Sequence, residues 1–334
     1  MRVVNQMPYV TLANAKKFVA ANDKTILLEA NANGIVLEYS CRTGRCGVCK
    51  AQVVRGETHP LRAEEALTAE ELHAGVILTC CRAADTDVDL DIEDLGRLAE
   101  MAAKTVPCRI DSLERLALDV IQITLRLPPA SKLNYLSGQY VDIIWQGARR
   151  SYSIANAPQV NGKLTLQIRH VEQGLLSHYW FNEAKADDLL RLEGPLGTFC
   201  LRTVEPRNLI FLATGTGIAP VKAMLEELAT SPELTLGKNI HVYWGGRSVH
   251  DIYWQVEFKE LSFNFIPVLS RPSPDWGGRC GYVQQALLED EVDLTDAVVY
   301  ACGSDNMIHS ARKQLTSAGL HPKKFYSDAF VSSN

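Results

Sequence analysis

The sequence lacks the long apolar runs that would place it in a membrane. No stretch approaches eighteen uncharged apolar residues, and Met1 to Pro8 contain no apolar core of the kind found in signal peptides. We therefore expect a cytoplasmic protein without a membrane partner. Basic charge is also scarce: 34 lysine and arginine residues against 39 aspartate and glutamate residues give a formal net charge of −5, which argues against nucleic acid as a partner.

Cysteine is sparse as well, with nine residues in a chain of 334, too few for a disulfide scaffold. Five of the nine nevertheless lie between positions 41 and 81. The first three stand at C-x4-C-x2-C spacing, and a fourth follows about thirty residues later. This is the ligand pattern of plant-type [2Fe-2S] clusters. The predicted ligands are Cys41, Cys46, Cys49 and Cys80.

Two alternatives remain open for this site. Structural zinc usually takes two separate pairs of cysteines, whereas here three thiols share one loop, so the spacing favours iron. Cys81 is the alternative fourth ligand, but the apolar run Val76 to Leu78 predicts a strand that delivers Cys80. Gly44 and Gly47 would let backbone N–H groups turn toward the sulfurs.

The length suggests two or three domains, and three segments with different sequence patterns follow one another. Residues 1–97 carry the cysteine loop, a helical stretch from Glu64 to Ala74, and a run in which Val88, Leu90 and Ile92 alternate with aspartates. That run predicts a strand with one solvent-exposed face. Its carboxylates either dock a basic partner or protect a solvated edge strand. Residues 95–104 have the composition of a linker.

Residues 103–204 alternate in short runs punctuated by Pro-Pro, Ser-Gly and Asn-Gly, which predicts an antiparallel β-barrel. Residues 205–334 alternate buried-strand runs with helical patterns near 218–229, 251–262, 282–290 and 304–318. Such alternation predicts a doubly wound parallel sheet. The expected fold is therefore multidomain: α+β, then β, then α/β.

The predicted barrel contains the run Arg150-Ser-Tyr-Ser153 on one strand. Arg150, Tyr152 and Ser153 would offer a cation to a phosphate, a ring to a flat heterocycle and a hydroxyl to one of its nitrogens, although a structural role is equally compatible. Further on, Gly174 to Ser177 precede a helical stretch. A Gly turn with a capping Ser suits a pyrophosphate, and an ordinary helix cap is the alternative.

The predicted parallel sheet contains Thr214-Gly-Thr-Gly-Ile-Ala-Pro220 between its first strand and the helix that follows. At this junction a Gly-rich turn lets a dinucleotide pyrophosphate approach backbone N–H groups, although Pro220 stands where a third Gly is usual. Cys302 and Gly303 close another strand at the same edge, where Cys302 could also be a core thiol.

In this order, the cysteine motif, R-x-Y-S, G-T-G-x-x-P and C-G resemble the ferredoxin–NADP reductase-like flavoproteins with a fused [2Fe-2S] domain. The resemblance implies a β-grasp ferredoxin domain, an FAD-binding barrel and an NAD(P)-binding domain. It implies that FAD is held by Arg150, Tyr152, Ser153, Gly174 and Ser177. It implies that the nicotinamide nucleotide is held by Gly215, Thr216, Gly217, Pro220, Cys302 and Gly303. Ser153, Cys302 and Phe330 would lie at the reacting rings.

The runs Leu37 to Cys41, Arg149 to Pro158, Gly194 to Phe199 and Ser327 to Val331 are similar to reductases that serve a sugar dehydrase. In that group, electrons pass from NADH through FAD and the cluster to a CDP-4-keto-6-deoxyglucose 3-dehydrase of 3,6-dideoxyhexose biosynthesis. Reductases of aromatic-ring dioxygenases and diiron monooxygenases share the layout, so the acceptor is either a sugar dehydrase or an oxygenase component.

The sequence thus predicts an NADH-dependent oxidoreductase with a protein electron acceptor. FAD is needed because a nicotinamide gives up two electrons at once, whereas the cluster takes one at a time. NADPH stays open, because Arg271, after Ser270, could pair with a 2′-phosphate. The alternative from another class is a non-catalytic iron–sulfur carrier or sensor.

Overall fold

The computed structural model describes residues 7–98, 101, 103–202, 204–255 and 258–330. The chain divides into two compact units, residues 1–102 with 331–334, and residues 103–330. Some predicted features fall outside the described residues: positions 1–6 of the first domain, positions 99, 100 and 102 of the linker, and positions 331–334 of the third domain. The boundaries 1–97, 103–204 and 205–334 stay a prediction.

The first unit is a small mixed α+β fold around the cysteine loop. Its strands are β1 (Tyr9–Leu12), β2 (Lys17–Val19), β3 (Lys50–Arg55), β4 (Thr58–Pro60), β5 (Val76–Leu78), β6 (Arg82–Ala84) and β7 (Val88–Leu90). Its helices are α1 (Ile26–Ala32) and α2 (Ala69–His73). Five strands form one sheet in the order β2-β1-β7-β3-β5, and β4 pairs with β6.

Two sequence expectations for this unit need correction. Strand β7 lies in the middle of the sheet, parallel to β1 and antiparallel to β3, so the interpretation of its aspartates as protection for an edge strand is wrong. Asp87 accepts the Tyr9 N–H, and Asp89 pairs with Arg55 at 2.8 Å. The predicted helix 64–74 is shorter, because a capping box of Thr68 and Glu71 starts α2 only at Ala69.

The second unit begins with an antiparallel sheet. Its strands are β8 (Lys104–Ala117), β9 (Val120–Arg126), β10 (Tyr140–Trp145), β11 (Ala148–Ser153), β12 (Leu164–Arg169) and β13 (Leu189–Leu196). They follow the order β11-β10-β13-β8-β9-β12. An isolated bridge between Ile154 and Leu166 joins the two outer strands, so the sheet curls back on itself as a barrel does. Helix α3 (Leu175–His178) leads into a π-helical turn, Tyr179–Glu183.

The rest of the second unit is a six-stranded parallel sheet. Its strands are β14 (Asn208–Thr214), β15 (Asn239–Gly246), β16 (Asn264–Leu269), β17 (Arg279–Cys280), β18 (Ala297–Ser304) and β19 (Phe325–Phe330), in the order β17-β16-β15-β14-β18-β19. Its helices are α4 (Ile218–Ala229), α5 (Pro232–Thr235), α6 (Val283–Glu289) and α7 (Asp305–Ser317). The chain reverses its direction of travel across the sheet between β14 and β18, the switch point at which such sheets bind ligands.

Three of the four predicted helices of this sheet are confirmed as α4, α6 and α7. The fourth, at 251–262, is wrong. In the described part of that range the chain makes only the end of a 3-10 turn, Val249–Asp251, and then irregular structure. Ile252, Tyr253, Trp254 and Phe258 pack on the core of the parallel sheet from this irregular segment. No helix in the described part of the chain is long and apolar enough to cross a membrane.

Candidate functional site

The loop between α1 and β3 brings three of the predicted ligands together. Gly44 has φ +83°, and a Cβ there would lie 2.4 Å from the Ala63 carbonyl oxygen and 2.8 Å from the Cys81 Sγ, so only glycine fits. The Thr43 N–H lies 3.3 Å from the Cys41 Sγ. Backbone N–H groups thus turn toward the sulfur atoms, as the sequence predicted.

The four predicted ligands approach one another as two pairs. The Sγ atoms of Cys49 and Cys80 lie 3.3 Å apart. The hydrogen bond with Cys49 lowers the pKa of Cys80 to about 7, and the hydrogen bond with Cys46 lowers the pKa of Cys41 to about 4, with burial opposing both shifts. In each pair the donor thiol, Cys46 or Cys49, has a raised pKa because of that hydrogen bond and then of burial. Each pair therefore favours a thiolate, the form that binds metal.

This arrangement suits two metal ions better than one. Two thiol pairs are what a binuclear cluster requires, since each iron takes two outer thiolates, whereas a structural zinc ion takes four. Cys81 is fully buried, and its Sγ lies 3.5 Å from both the Ala63 carbonyl oxygen and the Cys80 Sγ, so the choice of Cys80 over Cys81 stays a prediction.

The R-x-Y-S run forms the last four residues of β11. Arg150 is exposed, Tyr152 is half-buried and Ser153 is buried. The indole N–H of Trp180 donates to the Tyr152 hydroxyl at 3.1 Å, and the two rings meet edge-on at 6.2 Å. Burial raises the pKa of Tyr152 to about 12, so the phenol stays neutral. Arg150 and Tyr152 share one face of the strand and Ser153 takes the other.

Gly174 and Ser177 lie at the start of α3, but the predicted capping Ser is wrong. Gly174 is the N-cap residue and makes no side-chain cap. Ser177 lies inside the helix, where its Oγ accepts the Val171 N–H at 2.7 Å. The hydroxyl therefore fixes the turn that precedes the helix.

A cavity of about 670 Å³ opens at the carboxyl edge of the parallel sheet. Three of its walls lie at the ends of β14, β15 and β16 and include Gly215, Gly246 and Ser270. Others are the starts of α6 and α7 and the ring of Phe330 at the end of β19. Parallel strands end together at one edge, so residues far apart in sequence line one space.

Close backbone packing holds the G-T-G turn at this edge. A Cβ on Gly217 would lie 2.2 Å from the Cys302 carbonyl oxygen, and one on Gly303 would lie 2.1 Å from the Thr214 Oγ1. The same Oγ1 accepts the Ser304 N–H at 3.1 Å. The glycines thus allow the ends of β14 and β18 to meet at the switch point.

The predicted nucleotide residues divide into two groups. Gly215 and Thr216 line the cavity, and so does Phe330, which was predicted to lie at the reacting rings. The others, Gly217, Pro220, Cys302 and Gly303, are buried behind it. Burial, followed by the negative charge of Asp328, raises the pKa of the Cys302 thiol well above its usual value. The roles of all predicted site residues stay predictions.

Comparison with known proteins decides the family. Residues 10–85 match a 2Fe-2S iron–sulfur cluster binding domain, residues 107–200 an oxidoreductase FAD-binding domain and residues 211–313 an oxidoreductase NAD-binding domain. The chain is 44% identical to the CDP-6-deoxy-L-threo-D-glycero-4-hexulose-3-dehydrase reductase of Yersinia pestis, over 95% of this chain and 96% of that protein. The chain belongs to this family of iron–sulfur flavoprotein reductases.

Other relatives extend the same layout. The reductase is 31% identical to terephthalate 1,2-dioxygenase reductase component 1 of Comamonas sp, over 95% of both chains. Its fold is similar to the solved cytochrome P450 reductase of Amycolatopsis, with a TM-score of 0.75 and 26% identity over 98% of this chain and 100% of the other. It is thus an oxidoreductase with [2Fe-2S], FAD and nicotinamide nucleotide as cofactors, and the non-catalytic alternative is set aside.

Sequence reasoning missed several residues of the reductase's cavity. Gly245 and Gly246 end β15 and Arg247 follows it, and the pair of glycines at the end of a buried strand was a usable signal. Arg169, at the end of β12, also lines the cavity, and no local pattern marked it. Ser270 lines the cavity, whereas Arg271 is exposed outside its lining. The choice between NADH and NADPH stays a prediction.

Proposed function

We propose that this reductase takes electrons from NADH and delivers them to the CDP-4-keto-6-deoxyglucose 3-dehydrase of 3,6-dideoxyhexose biosynthesis. The observation that carries the proposal is 44% identity to the dehydrase reductase of Yersinia pestis over nearly the entire length of both chains. The paired thiols and the cavity at the switch point support it, since they give one chain a site for a one-electron centre and a site for a dinucleotide.

Each cofactor has residues that suit it. Cys41, Cys46, Cys49 and Cys80 would ligate the cluster. Bound FAD would exchange two electrons with the nicotinamide and pass them on singly. Tyr152 would lie against the flavin ring with its hydroxyl tied to Trp180, and Arg150 and the α3 start, Gly174 to Ser177, would hold the phosphates.

The nucleotide would enter the cavity beside Gly215 and Thr216, with Gly217 and Pro220 shaping the turn. Ser153, Cys302 and Phe330 would surround the reacting rings, with Phe330 covering one flavin face and Gly303 keeping the edge open. Cys302 is a fully buried neutral thiol, so its part would be to shape the site rather than to ionise.

The test begins with the purified protein. We expect iron, acid-labile sulfide and FAD in it, and NADH-dependent reduction of ferricyanide and cytochrome c. Cys46→Ser should abolish cytochrome c reduction and leave bleaching of the flavin by NADH intact. Loss of flavin bleaching in a folded Cys46→Ser protein would contradict the separation of the two steps, and a colourless or zinc-containing protein would contradict the cofactor assignment.

Assay with candidate acceptors then tests the partner. We expect electron delivery to the purified sugar dehydrase, with its CDP-linked substrate, to exceed delivery to a terephthalate dioxygenase oxygenase component. The reverse order would favour the second candidate, an oxygenase reductase, which the 31% identity to the Comamonas protein supports. KM values measured for NADH and for NADPH would show which nucleotide the reductase prefers. The cytoplasmic location expected from the sequence stays a prediction.

A further inference from the structure

The irregular segment from Arg247 to Tyr253 ties the parallel sheet to strand β12 of the antiparallel sheet. Asp251 Oδ1 accepts from Nη2 of Arg169 at 2.9 Å, and the Tyr253 hydroxyl donates to Gln167 Oε1 at 3.1 Å. Gln167 and Arg169 stand two residues apart on β12, so they project from the same face of the strand. Two side chains of the antiparallel sheet therefore hold the segment that follows β15 of the parallel sheet.

Asp251 bonds to both sides of this contact. Its second oxygen, Oδ2, accepts the backbone N–H groups of Arg247 at 2.9 Å and Ser248 at 3.0 Å. Burial acts to raise the pKa of Asp251, but these N–H donors and the Arg169 charge outweigh it, so the pKa is lowered and the carboxylate stays charged. One carboxylate thus fixes a guanidinium and a backbone turn together.

Asp251 lines the nucleotide cavity together with two of its partners, Arg169 and Arg247. Arg169 lies beside the G-T-G turn, with Nη1 3.5 Å from the position a Cβ would take on Gly215. Its Nε lies 3.3 Å from the Asp119 Oδ2, so the guanidinium is set between two carboxylates. On the other side, the Trp244 N–H donates to the Gly215 carbonyl at 2.9 Å, and its ring meets Tyr253 edge-on at 5.0 Å.

We propose that Asp251 is a positioning residue for the nicotinamide nucleotide. It holds Arg169 and the Arg247–Ser248 turn in one arrangement at the cavity and so makes nucleotide binding depend on the antiparallel sheet. A long, flexible cation that is already fixed loses less freedom when an anionic ligand binds, which favours affinity. The inference rests on the proposed oxidation of a nicotinamide nucleotide.

A double-mutant cycle on the purified holoprotein tests the inference. The Kd for NAD+, which cannot reduce the flavin, is measured by titration for Asp251→Asn, Arg169→Gln and the double variant. We expect each single variant to raise Kd about tenfold and the double variant to raise it no further, because both remove one arrangement. KM for NADH should rise in parallel while kcat stays within about twofold.

Asp111→Asn is the matched control, because it breaks an ion pair with Lys163 (2.6 Å) that does not line the cavity. Its Kd should match the wild type, and all variants should keep the wild-type flavin content. If Asp251→Asn does not fold, Tyr253→Phe loosens the same segment through Gln167, and its effect on Kd should likewise vanish in the Arg169→Gln background.

Additive effects in the cycle, or an unchanged Kd in Asp251→Asn, would overturn the positioning role. A wild-type holoprotein that binds neither NAD+ nor NADP+ would instead overturn the proposed function. The two failures are therefore distinguished by the wild-type titration alone.

Discussion

The Sγ atoms of Cys49 and Cys80 lie 3.3 Å apart although 31 positions separate them in the chain. Sheet register explains the approach. Strands β3 and β5 are antiparallel with Lys50 opposite Leu78, and the Thr79 N–H donates to the Cys49 carbonyl at 3.0 Å. Cys49, the residue before β3, therefore lies beside Cys80, the second residue after β5. Strand pairing thus fixes the position of the fourth predicted ligand.

Replacing the fourth cysteine tests this geometry. Cys80→Ser should lower iron and sulfide content, because serine offers no soft thiolate. NADH-dependent cytochrome c reduction should fall by more than about 100-fold, a larger loss than is usual when a residue that only supports a metal ligand is replaced. Flavin content should not change. Metal analysis and the visible spectrum provide the measurement.

Cys81→Ser is the matched control at the adjacent position. Its cluster should survive, with a stability loss of about 1–3 kcal/mol from burying a hydroxyl. If Cys81→Ser loses the cluster while Cys80→Ser keeps it, the two cysteines have been assigned the wrong way round.

Gly44 offers a second test of the cysteine loop. Gly44→Ala would place a methyl group against the Ala63 carbonyl in a left-handed backbone, and we expect it to destabilise the first unit by about 2–5 kcal/mol. Gly34→Ala is the control: its φ is +71° with nothing within 4 Å, so only the backbone cost of about 1–2 kcal/mol applies. Equal losses in denaturant titrations of the two variants would show that contact with Ala63 is unimportant.

The local patterns of the sequence predicted much of this architecture. The Cys80 strand, the alternation of β9, β10 and β12, and the helices at α4, α6 and α7 follow from short-range periodicity. The position of β7 did not, because alternation shows which faces are buried and says nothing of which strands are neighbours. Pairing with β1 and β3 is set by contacts distant in sequence.

The error at 251–262 has a similar cause. Its apolar residues are spaced as on a helix, but Asp251 and Tyr253 are each bonded to side chains of β12, and those bonds hold the backbone irregular. Tertiary contacts here override local preference. For the same reason, the sequence did not indicate that Arg169 lines the cavity, since its place there arises from sheet packing and not from a motif.

Tyr152 is predicted to serve FAD binding and local stability through different atoms. Tyr152→Phe keeps the ring but leaves the N–H of Trp180, only 1% exposed, without its acceptor, which should cost about 1–3 kcal/mol of unfolding free energy. FAD content should stay near the wild type, whereas Tyr152→Ala should lose FAD. Denaturant titration and flavin absorbance measure the two effects. The exposed Tyr9→Phe should change the unfolding free energy by no more than about 0.5 kcal/mol and leave the FAD content unchanged.

Gly303 should be essential for the nucleotide and dispensable for FAD. Gly303→Ala would force a methyl group to within 2.1 Å of the Thr214 Oγ1 at φ +145°, and so push apart the ends of β14 and β18 that shape the cavity. We expect the Kd for NAD+ to rise more than about tenfold, since backbone strain and overpacking each cost about 1–3 kcal/mol. Gly277→Ala, with open space around it, should bind NAD+ like the wild type. Normal NAD+ affinity in Gly303→Ala would mean that the switch point does not hold the nucleotide, and loss of FAD would mean that the damage spreads to the antiparallel sheet.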